Sequence, residues 1–201
     1  MFTISLKNIL NKTDKSIFLS FIFIFSGLLS GVLIYMFINE NVRPGILKLF
    51  LRFYTDFSNK TYIEIFSGIA LFGIFYFIIM FISGSSFYGK TISALVTFVK
   101  STGLTLLVSY LYCEFSLMGL EYVLLVFFPG KTVLISGMLL MTKNCIDMSD
   151  KLIKCNKTDF NDYKKRYLIK SILALFIIIF SCLVDLICIK IFSPLFNNIQ
   201  Q

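Results

Sequence analysis

The chain has 201 residues, 57% of them hydrophobic, and a formal net charge of +8. With a mean hydropathy of +0.85, this composition lies outside the range of soluble globular domains and marks an integral membrane protein. Histidine is absent, which removes the commonest general base and metal ligand. The longest polar stretch, 143–167, is too short to hold a core of its own.

Five apolar stretches, at 17–38, 62–82, 92–112, 117–142 and 168–192, are long enough to cross a bilayer as helices. The expected fold is therefore all-α: one polytopic membrane domain over 1–201, a bundle of five transmembrane helices. The first stretch carries no charge and stays bulky to its end, Tyr35-Met36-Phe37-Ile38. It lacks the small-residue cleavage site of a secretory signal and reads as a retained helix. Within it, Ser26-Gly27 and Ser30-Gly31 repeat small residues four apart, the pattern of a helix face built for close approach to another helix. Such a face serves packing within one chain or a homo-oligomer equally well.

After Pro44-Gly45, the residues Lys48, Arg52, Asp56 and Lys60 recur every four positions and so form one polar stripe on a helix. Ile46, Leu47, Leu49, Phe50, Phe53, Tyr54 and Phe57 cover the rest. An amphipathic helix over 45–60, lying flat in the outer interface, suits this pattern. A buried connecting helix is the alternative. The stripe is a candidate partner surface.

Four ionisable residues fall inside the later apolar stretches: Lys100, Glu121, Lys131 and Asp185. Charges at bilayer depth are costly and usually face the bundle interior. Lys100 and Lys131 fall near mid-membrane, and a lysine stem spans much of the distance to Asp185, so Lys131 and Asp185 are expected to pair. Glu121 is placed at the outer interface. Pro129-Gly130 interrupts the fourth stretch, predicting a kink or unwound turn that neighbouring helices must satisfy. The Lys143–Tyr167 segment reads as a charged helical hairpin. Thr158 is its expected N-cap, with Asp159 and Asp162 in the first turn and Lys164, Lys165 and Arg166 at the headgroups.

Orientation follows from the basic residues near helix ends. If every stretch crosses, one face collects Lys7, Lys12, Lys15, Lys90, Lys143, Lys151, Lys154, Lys157, Lys164, Lys165, Arg166 and Lys170. The first loop on the other face has only Arg43, Lys48, Arg52 and Lys60. The N-terminus is thus expected in the cytoplasm and the C-terminus outside. The positive charge then reports topology, and nucleic acid is not an expected partner, since no basic domain carries it. The bilayer is.

No catalytic, cofactor-binding or metal-binding residues are expected. Cys113, Cys145, Cys155, Cys182 and Cys188 form no Cys-x-x-Cys, and neither a phosphate-binding glycine loop nor Gly-x-Ser-x-Gly occurs. The candidate intramembrane polar and packing residues are Lys100, Lys131, Asp185, Pro129, Gly27, Gly31, Gly84 and Gly89.

The order of several short features carries a resemblance. Gly84-Ser85-Ser86-Phe87-Tyr88-Gly89 is followed by Lys100-Ser101-Thr102-Gly103-Leu104, Gly119 and Phe128-Pro129-Gly130. Cys182-Leu183-Val184-Asp185 then runs into Ser193-Pro194-Leu195. Together these resemble the stage II sporulation protein M family, over about 17–195 and best from Gly84 onward. The resemblance implies a non-enzymatic cell-membrane scaffold of sporulation. It would recruit and anchor two cell-wall hydrolases, the stage II sporulation proteins D and P, at the septum for the peptidoglycan remodelling of engulfment. An alternative from another class is the permease subunit of a transporter with a separate ATPase, docked on the 143–167 hairpin.

Overall fold

A computed structural model describes residues 2–38, 61–154 and 157–196. The described residues are helical throughout apart from short turns: α1 (Phe2–Phe37), α2 (Tyr62–Gly84), α3 (Gly89–Tyr122), a π-helical turn (Val123–Phe127), α4 (Phe128–Lys154), α5 (Lys157–Phe192) and a closing 3-10 turn (Ser193–Phe196). Four stretches are long and apolar enough to cross a membrane: Ser16–Phe37, Tyr62–Gly84, Gly89–Leu152 and Asn161–Phe192. They make this a membrane-embedded, multi-pass protein. The expected interfacial helix at 45–60, with Lys48, Arg52, Asp56 and Lys60, lies outside the described residues.

The third of these stretches is 64 residues long. As one straight helix it would extend about 96 Å at about 1.5 Å per residue, roughly three times the hydrocarbon thickness of a bilayer. It is not straight. Ser116 sits at φ 51°, ψ −128°, breaking the helix where the apolar pattern leaves its gap between 112 and 117. Beyond the break the chain turns back on itself: Gly119 lies against the Leu111 carbonyl, and Thr97 Oγ1 meets Thr142 Oγ1 at 2.8 Å. Residues 89–115 and 117–154 therefore run antiparallel.

Ser116 is the one non-glycine at positive φ among the described residues, and its Cβ makes that conformation unfavourable. Ser116→Gly is expected to raise the melting temperature in detergent, by a gain of up to about 1 kcal/mol, and Ser116→Val to lower it by a similar amount. Thermal unfolding of the two purified variants checks the sign.

Local chemistry sets the other ends. Thr61 caps α2: its side chain accepts the Glu64 amide while the Glu64 carboxylate accepts the Thr61 amide at 2.8 Å, a capping box legible as Thr-x-x-Glu. The turn from α2 to α3 is closed by Ser85 N–H donating to the Ile82 carbonyl and Ser86 N–H to the Ser83 carbonyl. Gly89 packs so closely on the Ser83 carbonyl that a Cβ there would collide with it. α5 begins at Lys157, so Thr158 stands inside its first turn and is not the N-cap that the sequence predicts. α4 continues to Lys154, giving the two arms expected of the 143–167 hairpin.

Two layers of buried side chains hold the helices together. One joins Ile65, Ile69, Leu107, Leu111, Tyr122, Val126, Phe127 and Ile189. The other joins Tyr76, Met80, Leu134, Met138, Met141, Cys145, Met148, Tyr167 and Ile178. In lipid such layers act through close packing more than through water exclusion, and flexible methionines fill their irregular gaps. The opposite faces present large apolar groups outward, on α1 for example Phe18, Phe21, Phe25, Leu29 and Leu33.

The small-residue face of α1 is used inside the chain. A Cβ on Gly27 would stand 2.6 Å from the Phe98 carbonyl, and one on Gly31 would stand 2.6 Å from the Thr102 carbonyl. Ser30 and Thr102 hydroxyls meet across the same seam at 2.9 Å. α3 thus covers the face that the sequence leaves open between internal packing and a homo-oligomer.

Candidate functional site within the bundle

The mid-bundle charges form one site. Lys131 Nζ donates to Asp185 Oδ2 at 2.5 Å, joining α4 to α5 as the sequence predicts. Lys131 is 7% exposed and Asp185 2%, so the pair is withdrawn from lipid and water alike. The Lys131 ammonium also lies 4.9 Å from the centre of the Phe127 ring, a cation–π contact from one turn earlier in the chain. A buried pair of this kind gains from mutual attraction what it loses in solvation, so long as both partners remain.

Local backbone places the lysine. Pro129 offers no N–H, and its ring crowds the carbonyl four residues before it. The strain is absorbed just upstream, in the π-helical turn Val123–Phe127, where the Phe128 N–H reaches back five residues to the Val123 carbonyl. α4 then continues through Pro129 and Gly130 as regular helix. The break expected at Pro129-Gly130 therefore falls one turn earlier.

Gly130 has its own reason. The Asp185 carboxylate and the Asp185 backbone nitrogen occupy the space where a Cβ would go, the nitrogen 3.0 Å away. Only glycine lets α5 approach near enough for Asp185 to meet the next residue, Lys131. Beside a proline Gly130 suggests a helix breaker; in the fold it is a contact surface for Asp185.

Lys100 is half-buried on α3 and interacts electrostatically with both Lys131 and Asp185. It makes no ion pair with Asp185 among the described residues, so the structure brings it near the pair without joining it. Glu121 is exposed. Gly84 belongs to a different cluster: it packs on the Tyr167 hydroxyl, which donates to the Phe81 carbonyl at 2.9 Å. Cys145 donates to the Met80 carbonyl at 3.0 Å, tying α2, α4 and α5 together beside it.

Cys113 is exposed, and Cys145, Cys182 and Cys188 are buried free thiols. Among the described residues no group of three or more Cys, Asp or Glu side chains is placed to hold a metal ion. Polar side chains that no motif singles out also bridge helices: the hydroxyls Tyr76–Thr97–Thr142 join α2, α3 and α4, and Ser16 donates to Asp147 Oδ1 at 3.0 Å from α1 to α4. Their signal in the sequence is serine or threonine within apolar runs, which does not say which helix each will meet.

Compared with known proteins, the chain matches no family model, no curated protein and no solved structure.

Proposed function

We propose that this protein is a non-enzymatic scaffold of the cell membrane that crosses the bilayer five times, with its N-terminus in the cytoplasm and its C-terminus outside. The observation that carries this reading is the Lys131–Asp185 pair. Its two charges satisfy each other between α4 and α5, under Phe127 and against Gly130. A charge pair committed in this way serves as a clamp, and the bundle it clamps is a platform for partners. The resemblance to the stage II sporulation protein M family supplies the setting: anchoring of the stage II sporulation proteins D and P at the septum for engulfment. The Pro44–Lys60 stripe is the proposed outer contact.

Affinity purification of the tagged chain from sporulating cells tests this. Both hydrolases are expected in the eluate, and recovery of neither from cells that express the chain at normal level would refute the assignment. The five-span count is tested by cysteine labelling in intact cells: a cysteine at Leu195 should react with an impermeant reagent and one at Lys157 should not. Reaction at both from outside would mean that a stretch treated as crossing dips in and returns.

A second reading, the membrane subunit of a transporter, has one observation in its favour. Lys100, Lys131 and Asp185 collect unequal charge within the bundle, next to a π-helical turn, and such turns frequently mark functional sites. An ATPase that co-purifies through the 143–167 hairpin would favour it.

A further inference from the structure

The apolar span of α5 is bounded by a cation at each end, and the two ends differ. Between Lys170 and Lys190 the chain has a single charged residue, Asp185, and that one is buried against Lys131. The twenty residues from 170 to 190 rise about 30 Å, the hydrocarbon thickness of a bilayer. Lys170 and Lys190 therefore mark its two edges. At the second edge the Lys190 ammonium lies over the Tyr62 ring, 4.7 Å from its centre. At the first, Arg166 and Lys170 are exposed, and neither has an ion pair or a ring contact among the described residues.

A second feature sets the same depth. Gly84 packs on the Tyr167 hydroxyl, which brings the turn between α2 and α3 level with Arg166. That turn presents Phe87 and Tyr88 outward, 67% and 75% exposed, and tyrosine collects where the bilayer meets water. Arg166 thus lies in the headgroup layer, with Lys170 one turn below it at the hydrocarbon edge. Side chains on a helix lean toward its N-terminus, and a lysine at such an edge extends its ammonium toward water. Both tendencies carry the Lys170 charge toward Arg166.

Apolar groups continue the same face downward. Arg166, Ile169, Lys170, Leu173 and Phe180 fall within about 100° of one another around α5, and all five are exposed. Asp162 stands on this face one turn above Arg166 and is exposed too. It lies about 6 Å farther from the hydrocarbon and makes no ion pair with Arg166 among the described residues.

We propose that this stripe of α5 binds an anionic phospholipid of the surrounding bilayer. The Arg166 guanidinium and the Lys170 ammonium hold the phosphate, one as a planar fork and the other as a point charge. The acyl chains lie along Ile169, Leu173 and Phe180. An acidic protein segment matches the two cations but not an apolar strip that descends into the hydrocarbon, whereas a lipid matches both. The site depends on the membrane-embedded fold and holds whichever function the bundle serves.

The experiment reconstitutes the full chain in mixed micelles of phosphatidylglycerol and phosphatidylcholine in equal parts, repurifies it, and measures the retained lipids by mass spectrometry. Phosphatidylglycerol is expected in excess over phosphatidylcholine by about fivefold for each cation at the site. Changing both Arg166→Gln and Lys170→Gln should bring the ratio back toward one. Lys164→Gln with Lys165→Gln removes the same charge from other faces of the helix and should leave the excess in place. Equal retention of the two lipids by the parent chain would overturn the proposal. So would an excess that survives loss of Arg166 and Lys170, or one that falls equally in the two double variants, since that would show attraction by overall charge alone.

Discussion

Asp185→Ala and Lys131→Ala should each sharply reduce the amount of folded protein in the membrane, whereas changing both residues to leucine should restore most of it. Each single change strands one charge at 7% exposure or less, at a cost of about 3–5 kcal/mol. That is a large part of the stability of a typical domain. The double change removes the desolvation penalty along with the attraction, so it is expected to be close to neutral. Asp185→Leu alone should resemble Asp185→Ala, since the lysine is left unpaired in either case. Abundance in membranes and melting in detergent measure the effect. The double variant also separates the two functional readings. A scaffold should regain its partners together with its abundance, whereas a transporter that uses these charges should regain abundance and stay inactive. Single variants with normal abundance would mean that the pair contributes nothing to folding.

Leucine at both Gly27 and Gly31 is expected to lift α1 off α3. At either position even a Cβ would stand 2.6 Å from a backbone carbonyl of α3, a contact that only movement of a whole helix relieves. Each close contact between helices in lipid depends on such approach, and overpacking a single site costs about 1–3 kcal/mol. Two sites one turn apart on the same seam add to each other. Cysteines at Ser30 and Thr102, whose hydroxyls are 2.9 Å apart, should form a disulfide under mild oxidation in the parent chain. In the double leucine variant that cross-link should disappear while α2 to α5 still fold. A cross-link of undiminished yield would show that α1 accommodates the larger side chains by some other movement.

Much of the architecture was legible because membrane burial writes long, uniform signals. Ile17 to Ile38 has no charge to interrupt it, and in α1 the apolar run ends at Phe37, within a residue of that reading. The gap between 112 and 117 predicted a turn, and Ser116 makes it. Lys131 and Asp185 were legible as partners because two opposite charges at similar depth have few other ways to be satisfied. Less legible were the positions whose meaning depends on a neighbour. Gly130 reads as a helix breaker beside a proline; its role as the surface on which Asp185 lies appears only when α5 is in place.

The sequence by itself determined that the chain is helical and membrane-embedded, and which residues carry charge into the bundle, because those properties follow from hydropathy, length and the cost of bare charge in lipid. The tertiary structure alone decided that α3 takes the glycine face of α1, that the strain of Pro129 is absorbed in the turn before it, and which side chains share the α4–α5 seam. The physical reason is that packing is a property of pairs. A helix face states what size of neighbour it admits, but which neighbour arrives depends on the turns at Ser116 and between α2 and α3, and on contacts between residues far apart in the chain.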